Sequence, residues 1–265
     1  MSSAAEESRL GALDRVLDEQ QPAATLAGEL FAVVDAVQEQ PALRRSLTDP
    51  GLTEDQRKSL VRQLFGNRVS PAAATVVEQA VGMRWGGGRS FLTAVERQGV
   101  RAELRAAQQA GQLDNLEEEL FRFARTVAAD AGLSEALRDR RTDVAARRSL
   151  VQNLLTGKVQ QATLVLAQRA VAGRQGSFDD TVEHYLELAA DLRHRGLATV
   201  RVAQPLTPAQ HERLRAALSR QVGREIAMHV IVDPEVLGGV RVELGDEVIE
   251  GTVAGRLDDA TRRLQ

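Results

Sequence analysis

The chain's four histidines, His184, His194, His211 and His229, are its natural candidates for metal ligation or proton transfer. None stands at metal-ligand spacing from another. His184 and His194 share one expected helix but lie ten residues apart. There is no cysteine, which excludes disulfides and thiolate metal sites. Gly157-Lys158 is followed by Val159 and lacks the earlier glycine and the hydroxyl of a phosphate-binding loop. Gly86-Gly87-Gly88-Arg89 follows a helical pattern instead of a strand, so it reads as helix punctuation rather than a dinucleotide loop. No serine sits in a nucleophile elbow, and no pair of carboxylates is singled out for acid–base work. Arg138, Arg140, Arg141, Arg147 and Arg148 cluster against Asp139 and Asp143. They read as a solvated loop and helix start, with a docking patch for an acidic partner as the alternative. No catalytic, cofactor-binding or metal residue is expected.

The elements that would carry such residues follow from composition. The 265 residues hold 34 Lys and Arg against 37 Asp and Glu, a net charge of −3, too few cations for a nucleic-acid grip. Hydrophobic residues make up 43% and aromatics 3%, so the core must be Ala, Leu and Val, a composition that favours helices. No apolar run is long enough to span a bilayer. Met1 to Leu10 carries Glu6 and Glu7 and lacks the order of a signal peptide. An intracellular soluble protein, able to dock on a membrane complex, is expected.

An internal repeat organises most of the chain. Shifted by 90 positions, residues 26–84 lie over 116–174 without a gap and share 18 identities in 59 positions. Composition alone would give about 5. The identities include Phe31 on Phe121, Asp49 on Asp139, Arg57 on Arg147 and Ser59 on Ser149, which two unrelated Ala/Leu-rich stretches would not share. Duplication accounts for them.

Both copies read as short amphipathic helices. Leu26, Leu30, Val33, Val34 and Val37 recur at helical spacing and stop near Gln40-Pro41. Thr53 with Gln56 forms a capping box, and Asp143 takes the matching N-cap in the second copy. Gly66-Asn67 and Thr156-Gly157 break the chain before helices near Pro71 and Gln161. Gly86-Gly87-Gly88 closes one bundle helix, as do Gly173 and Gly176 later. From Ser90 a single helix runs to about Gln109 and joins the copies, with Gly99 as its weak point. After Arg195-Gly196 the texture changes. Thr199 to Val202 alternates like a strand, and Thr207-Pro208 with Gln210 starts a helix that ends at Gly223. Ile226 to Val232 is apolar on both faces and reads as a covered central strand. Val240 to Leu244 pairs across Gly245-Asp246 with Val248-Ile249, and Val253 to Leu264 closes as a helix. The fold class is mostly α with a small α+β C-terminal module. Two tandem bundles of about six helices, 1–97 and 98–195, precede a short sheet with two helices at 196–265.

The closing segment carries a denser signal. Val232-Asp233-Pro234-Glu235-Val236-Leu237-Gly238-Gly239-Val240-Arg241-Val242, then Gly245-Asp246, Gly251-Thr252-Val253 and Gly255-Arg256-Leu257, resembles the C-terminal signature of the F-type ATP synthase delta subunit. That family includes the oligomycin sensitivity-conferring protein. The second copy is similar to the family's helical domain, and the extra first copy resembles actinobacterial forms. The resemblance implies a non-catalytic peripheral-stalk subunit without cofactor, joining the alpha/beta head to the stalk. It would sit at the cytoplasmic face of the cell membrane and resist rotor torque. No membrane-anchored segment precedes the first copy, so a separate b-type stalk subunit is implied. The partners implied are N-terminal helices of the alpha subunit and the b-type subunit. Groove positions for the alpha helix are Leu104, Ala107, Leu164, Ala167, Ala170 and Val171, each of which could instead fill the bundle's own core. For the stalk, Val236, Gly238, Gly239, Val240, Gly245 and Ile249 are the candidates. The alternative is a helical-repeat adaptor of another multi-subunit complex.

Overall fold

A computed structural model describes residues 4–139, 141–172, 176–194, 196–222, 226–233, 236, 240–244 and 247–250. The described residues fall into two compact units, one within 1–17 and 22–190, the other within 18–21 and 191–265.

The first unit contains α1 (Ala4–Asp18), α2 (Ala24–Glu39), α3 (Pro41–Leu47), α4 (Glu54–Phe65) and α5 (Pro71–Gly82). Then come α6 (Gly88–Gln109), α7 (Leu113–Ala129), α8 (Ala131–Arg138), α9 (Val144–Leu155) and α10 (Gln161–Ala170). Helix α11 (Phe178–His194) begins in this unit. Helices α2 to α5 recur as α7 to α10 at the 90-residue offset. The expected caps form. Thr53 Oγ1 accepts from the Gln56 N–H at 3.3 Å while Gln56 Oε1 accepts from the Thr53 N–H at 2.8 Å. Asp143 Oδ1 accepts from the Ala145 N–H at 3.2 Å. These bonds satisfy amide groups that the first helical turn leaves without intrahelical partners.

Three local expectations are corrected. The Gly86–Gly88 run does not close a helix: α5 has already ended at Gly82, and Gly87, at φ 144°, is the N-cap that opens α6. A side chain rarely adopts that φ, which is why glycine stands there. Gly173 lies outside the described residues, and Gly176 stands just before α11 rather than at the end of α10. Gly99 is no weak point of α6. A Cβ at Gly99 would lie 2.5 Å from Cε1 of Phe31, so its bare backbone admits the Phe31 ring. Helix α6 serves both copies, last helix of the first and first helix of the second. It buries 14 of its 22 residues, including Glu96, Gln98, Arg101, Glu103 and Arg105.

The second unit holds β1 (Gly196–Val202), α12 (Pro208–Val222), β2 (Ile226–Val232), β3 (Val240–Leu244) and β4 (Glu247–Glu250). The sheet order is β2-β1-β3-β4, with β1 parallel to β2 and antiparallel to β3. Thr207 and Gln210 form the expected capping box of α12. The core is Val200, Val202, Leu218, Ile226, Met228 and Val242, with Leu214 of α12 packed against it. The expectation of a central β2 is corrected. Among the described residues β2 pairs with β1 alone, β1 is the strand bonded on both sides, and Val232 is 49% exposed. Alternate residues Ile226 and Met228 are buried, so one apolar face suffices and the run of apolar residues does not mean a covered strand. Leu244 and Glu247 pair across the two-residue link of the β3–β4 hairpin. That link at 245–246, the glycines 223, 238, 239, 251 and 255, and the closing segment 253–264 lie outside the described residues.

Candidate docking surfaces

The duplicated arginines explain why the repeat retains them. Arg57 on α4 donates from Nε to the Val81 carbonyl at 2.7 Å and from Nη1 to the Leu52 carbonyl at 2.5 Å. Arg147 on α9 donates from Nη1 to the carbonyls of Val171 and Leu137, both at 3.0 Å. Val81 and Val171 are repeat partners. Each guanidinium therefore ties off carbonyls at the end of the following helix (α5 or α10), which would otherwise be buried without donors. Glu29 and Glu119 are also retained for bracing. Glu29 Oε2 accepts from Ser70 Oγ at 2.5 Å, and Glu119 Oε2 from the Gln160 N–H at 3.0 Å and Thr163 Oγ1 at 2.5 Å.

Around α6 the polar groups form two clusters. Asp14 of α1 receives Arg97 at 2.7 Å, Gln98 at 2.8 Å and Arg101 at 3.4 Å. Burial pushes the Asp14 pKa up, but Arg101, Arg97 and Gln98 together outweigh it and hold the carboxyl below its ordinary value. Arg105 donates to the Leu17 carbonyl at the other end of the same contact. On the opposite side Arg169 of α10 meets Asp35 of α2 at 2.7 Å and Glu96 of α6 at 3.2 Å. Burial would lower the Arg169 pKa, and Glu96 and Asp35 raise it on balance. Glu103, 5% exposed, has its pKa raised to about 7 by burial.

Of the six groove positions, Leu104, Ala107, Ala167, Ala170 and Val171 are buried within the bundle and Leu164 is half-buried. Of the stalk positions, Val236 is half-buried, Val240 packs against the sheet core, and Ile249 stands opposite Val242 in the β3–β4 register. Gly238, Gly239 and Gly245 fall outside the described residues. The arginine cluster is largely engaged with its own chain. Arg147 is buried, Arg141 pairs with Asp139 at 3.0 Å, Arg138 with Asp179 at 3.4 Å, and Arg148 with Asp35 at 3.7 Å. His184 is paired with Glu187 at 3.4 Å. Among the described residues no group of His, Asp and Glu could hold a metal ion, and no helix is long and apolar enough to cross a membrane.

Sequence reasoning did not single out Asp14, Asp35, Glu103 or Arg169. For Asp35 and Arg169 a signal lay in the repeat, at positions where the copies differ, Asp35 against Arg125 and Arg169 against Gln79, whereas Asp14 and Glu103 lie outside the repeated stretches.

The family model described as ATP synthase delta (OSCP) subunit matches residues 95–264, from within α6 through the second copy and the sheet unit. The chain belongs to the ATP synthase delta (OSCP) family. It is thereby of a non-catalytic ATP synthase subunit type. Similar delta-family proteins, each named ATP synthase subunit delta, span the first copy as well. One from Kineococcus radiotolerans is 44% identical over 261 residues, covering 96% of this chain and 95% of that protein. One from Thermobifida fusca is 41% identical over 242 residues, covering 91% and 90%. A third, from Streptomyces griseus, is 39% identical over 269 residues, covering 100% and 99%.

Proposed function

We propose that this delta-family chain is the peripheral-stalk subunit that links the alpha/beta catalytic head to a b-type stalk and resists rotor torque. It would work at the cytoplasmic face of the cell membrane as part of the F-type ATP synthase. The observation that carries this reading is the family match over 95–264. Its start within α6 leaves the first copy as an addition to the family's usual two parts. The mechanics of the bundle support it. A strut that transmits torque needs helices that do not slide, and α6 is held by buried ion pairs on both sides and by the Phe31 ring seated at Gly99.

The alpha N-terminal helix would bind the second copy beside Leu164, the groove position with accessible surface. Its five buried neighbours, Leu104, Ala107, Ala167, Ala170 and Val171, would form the floor. The b-type subunit would meet the C-terminal unit around the Val236 to Ile249 hairpin region. Titrating an alpha N-terminal peptide against the full chain tests the first assignment. Leu164→Arg should weaken binding about tenfold or more, and Ala74→Arg at the matching place in the first copy should not. The opposite pattern would assign the peptide to the first copy. For the second contact, removal of 196–265 should abolish pull-down of the b-type subunit. Undiminished pull-down would refute the stalk placement.

A further inference from the structure

Arg57 and Arg147 stand at matching places in the repeat, yet they use their donors differently. In the first copy every nitrogen of the guanidinium is engaged. Arg57 Nε donates to the Val81 carbonyl at 2.7 Å and Nη2 to the Gly82 carbonyl at 3.3 Å. Its Nη1 serves the carbonyls of Leu52 and Asp49. In the second copy Nη1 alone is engaged, by the carbonyls of Leu137 and Val171. Val171, the counterpart of Val81, has thus moved from the Nε side of the guanidinium to Nη1. Arg147 Nε is buried without a hydrogen-bond partner, and Nη2 makes no hydrogen bond among the described residues. Nε–H and the adjacent Nη2–H form the edge that meets a carboxylate through two parallel bonds.

Arg147 is 9% exposed and lines a cavity of about 250 Å³ between the ends of α8 and α10 and the start of α11. Leu137, Val171, Ala172 and Phe178 supply its apolar wall. Its polar part includes Ser177, whose Oγ accepts from the Asp180 N–H at 3.2 Å and keeps its own proton to donate. The carboxylates of the first α11 turn are occupied elsewhere. Asp180 accepts from the Ser177 N–H at 2.7 Å, Asp179 meets Arg138 at 3.4 Å, and neither is among the lining residues.

This lining selects a chemistry. Two guanidinium donors and one hydroxyl match the two oxygens of a carboxylate. A phosphate would press its further oxygens, unpaired, on Leu137, Val171 and Phe178. An apolar cavity of about 150 Å³ takes benzene, so there is room for a body of that size beside the charged head.

We propose that the second copy holds a binding site for a small monocarboxylate with an aromatic or branched apolar body. Its carboxylate lies on the Nε–Nη2 edge of Arg147, and its body lies against Phe178, Leu137 and Val171. The first copy has no such site, because the Val81 and Gly82 carbonyls take the same edge of Arg57.

Titration of the purified full chain with benzoate, followed by NMR of the arginine Nε–H resonances, tests the site. The Arg147 resonance should shift and saturate at one benzoate per chain, with a Kd of about 1 mM or tighter, while that of Arg57 stays in place. Benzyl alcohol and inorganic phosphate should each bind at least about tenfold more weakly. Ala172→Leu, which fills the cavity, should weaken benzoate by about tenfold or more. Equal binding of benzyl alcohol, tighter binding of phosphate, or an unmoved Arg147 resonance at about 20 mM benzoate would overturn the proposal. So would undiminished binding to a folded Ala172→Leu chain. If that variant does not fold, the three wild-type comparisons decide the matter alone.

Discussion

The guanidinium of Arg169 lies 4.5 Å from the centroid of the Phe31 ring, joining α10 of the second helical copy to α2 of the first. The two residues are 138 positions apart. Arg169 also bonds Asp35 and Glu96, so one side chain gathers α2, α6 and α10. A cation over an aromatic face is worth about 2 kcal/mol when desolvated, and Phe31 is 5% exposed. Around this contact the two copies behave as one body, which gives the packing predictions below their sign.

Gly99→Ala should destabilise the chain, although alanine is the better helix former by about 1 kcal/mol. The added methyl would stand 2.5 Å from the Phe31 ring, which Arg169 covers on its other side. A net loss of about 1–3 kcal/mol is expected in urea unfolding, with partial rescue by Phe31→Leu. A stabilised Gly99→Ala protein would mean that the ring moves freely.

Asp14→Ala should cost about 3–5 kcal/mol, because it removes the carboxylate that the half-buried Arg97 and the buried Arg101 share. The Asp14 carboxyl is held below its ordinary value, so its contribution is present above the usual carboxylate range and is lost as pH falls through the lowered folded-state value. The wild-type and Asp14→Ala stabilities should therefore converge in acid.

Glu103 behaves in the opposite sense. Its folded-state pKa is about 7 against an ordinary 4.5, so the folded chain holds the proton more tightly than the unfolded chain. Stability should fall as pH rises between those values, by up to about 3 kcal/mol. Glu103→Gln, matched to wild type near pH 4, should be the more stable protein at pH 8. Parallel stability curves for the two would refute the assignment.

Arg57→Met and Arg147→Met should each cost about 2–4 kcal/mol, since each strands buried carbonyl oxygens at the end of a neighbouring helix. The two sites share no partner, so the double variant should lose the sum to within about 0.5 kcal/mol in denaturant melts.

Much of the fold is legible from local rules. Helix starts at Thr53, Asp143 and Thr207 were readable because a cap needs only a side-chain oxygen and an amide within three residues. The 90-residue repeat, the alternation of Val240 to Leu244 and the glycine-rich closing motif were equally open to a linear reading. The error at β2 came from the same source. An apolar run records that a strand has apolar faces, but neighbour strands are chosen by the rest of the sheet, and β3 took the place beside β1.

By itself, the sequence determined the duplication, the element types and the family, because these rest on identity, periodicity and spacing along the chain. Only the tertiary structure decided that α6 belongs to both copies, and that five of six groove positions face the bundle's own interior. It also separated Phe31 from Phe121. The two stand at matching places in the repeat, yet one is 5% and the other 54% exposed. Burial depends on what stacks against a face, and in the first copy Gly99 of α6 and Arg169 of α10 lie against the Phe31 ring.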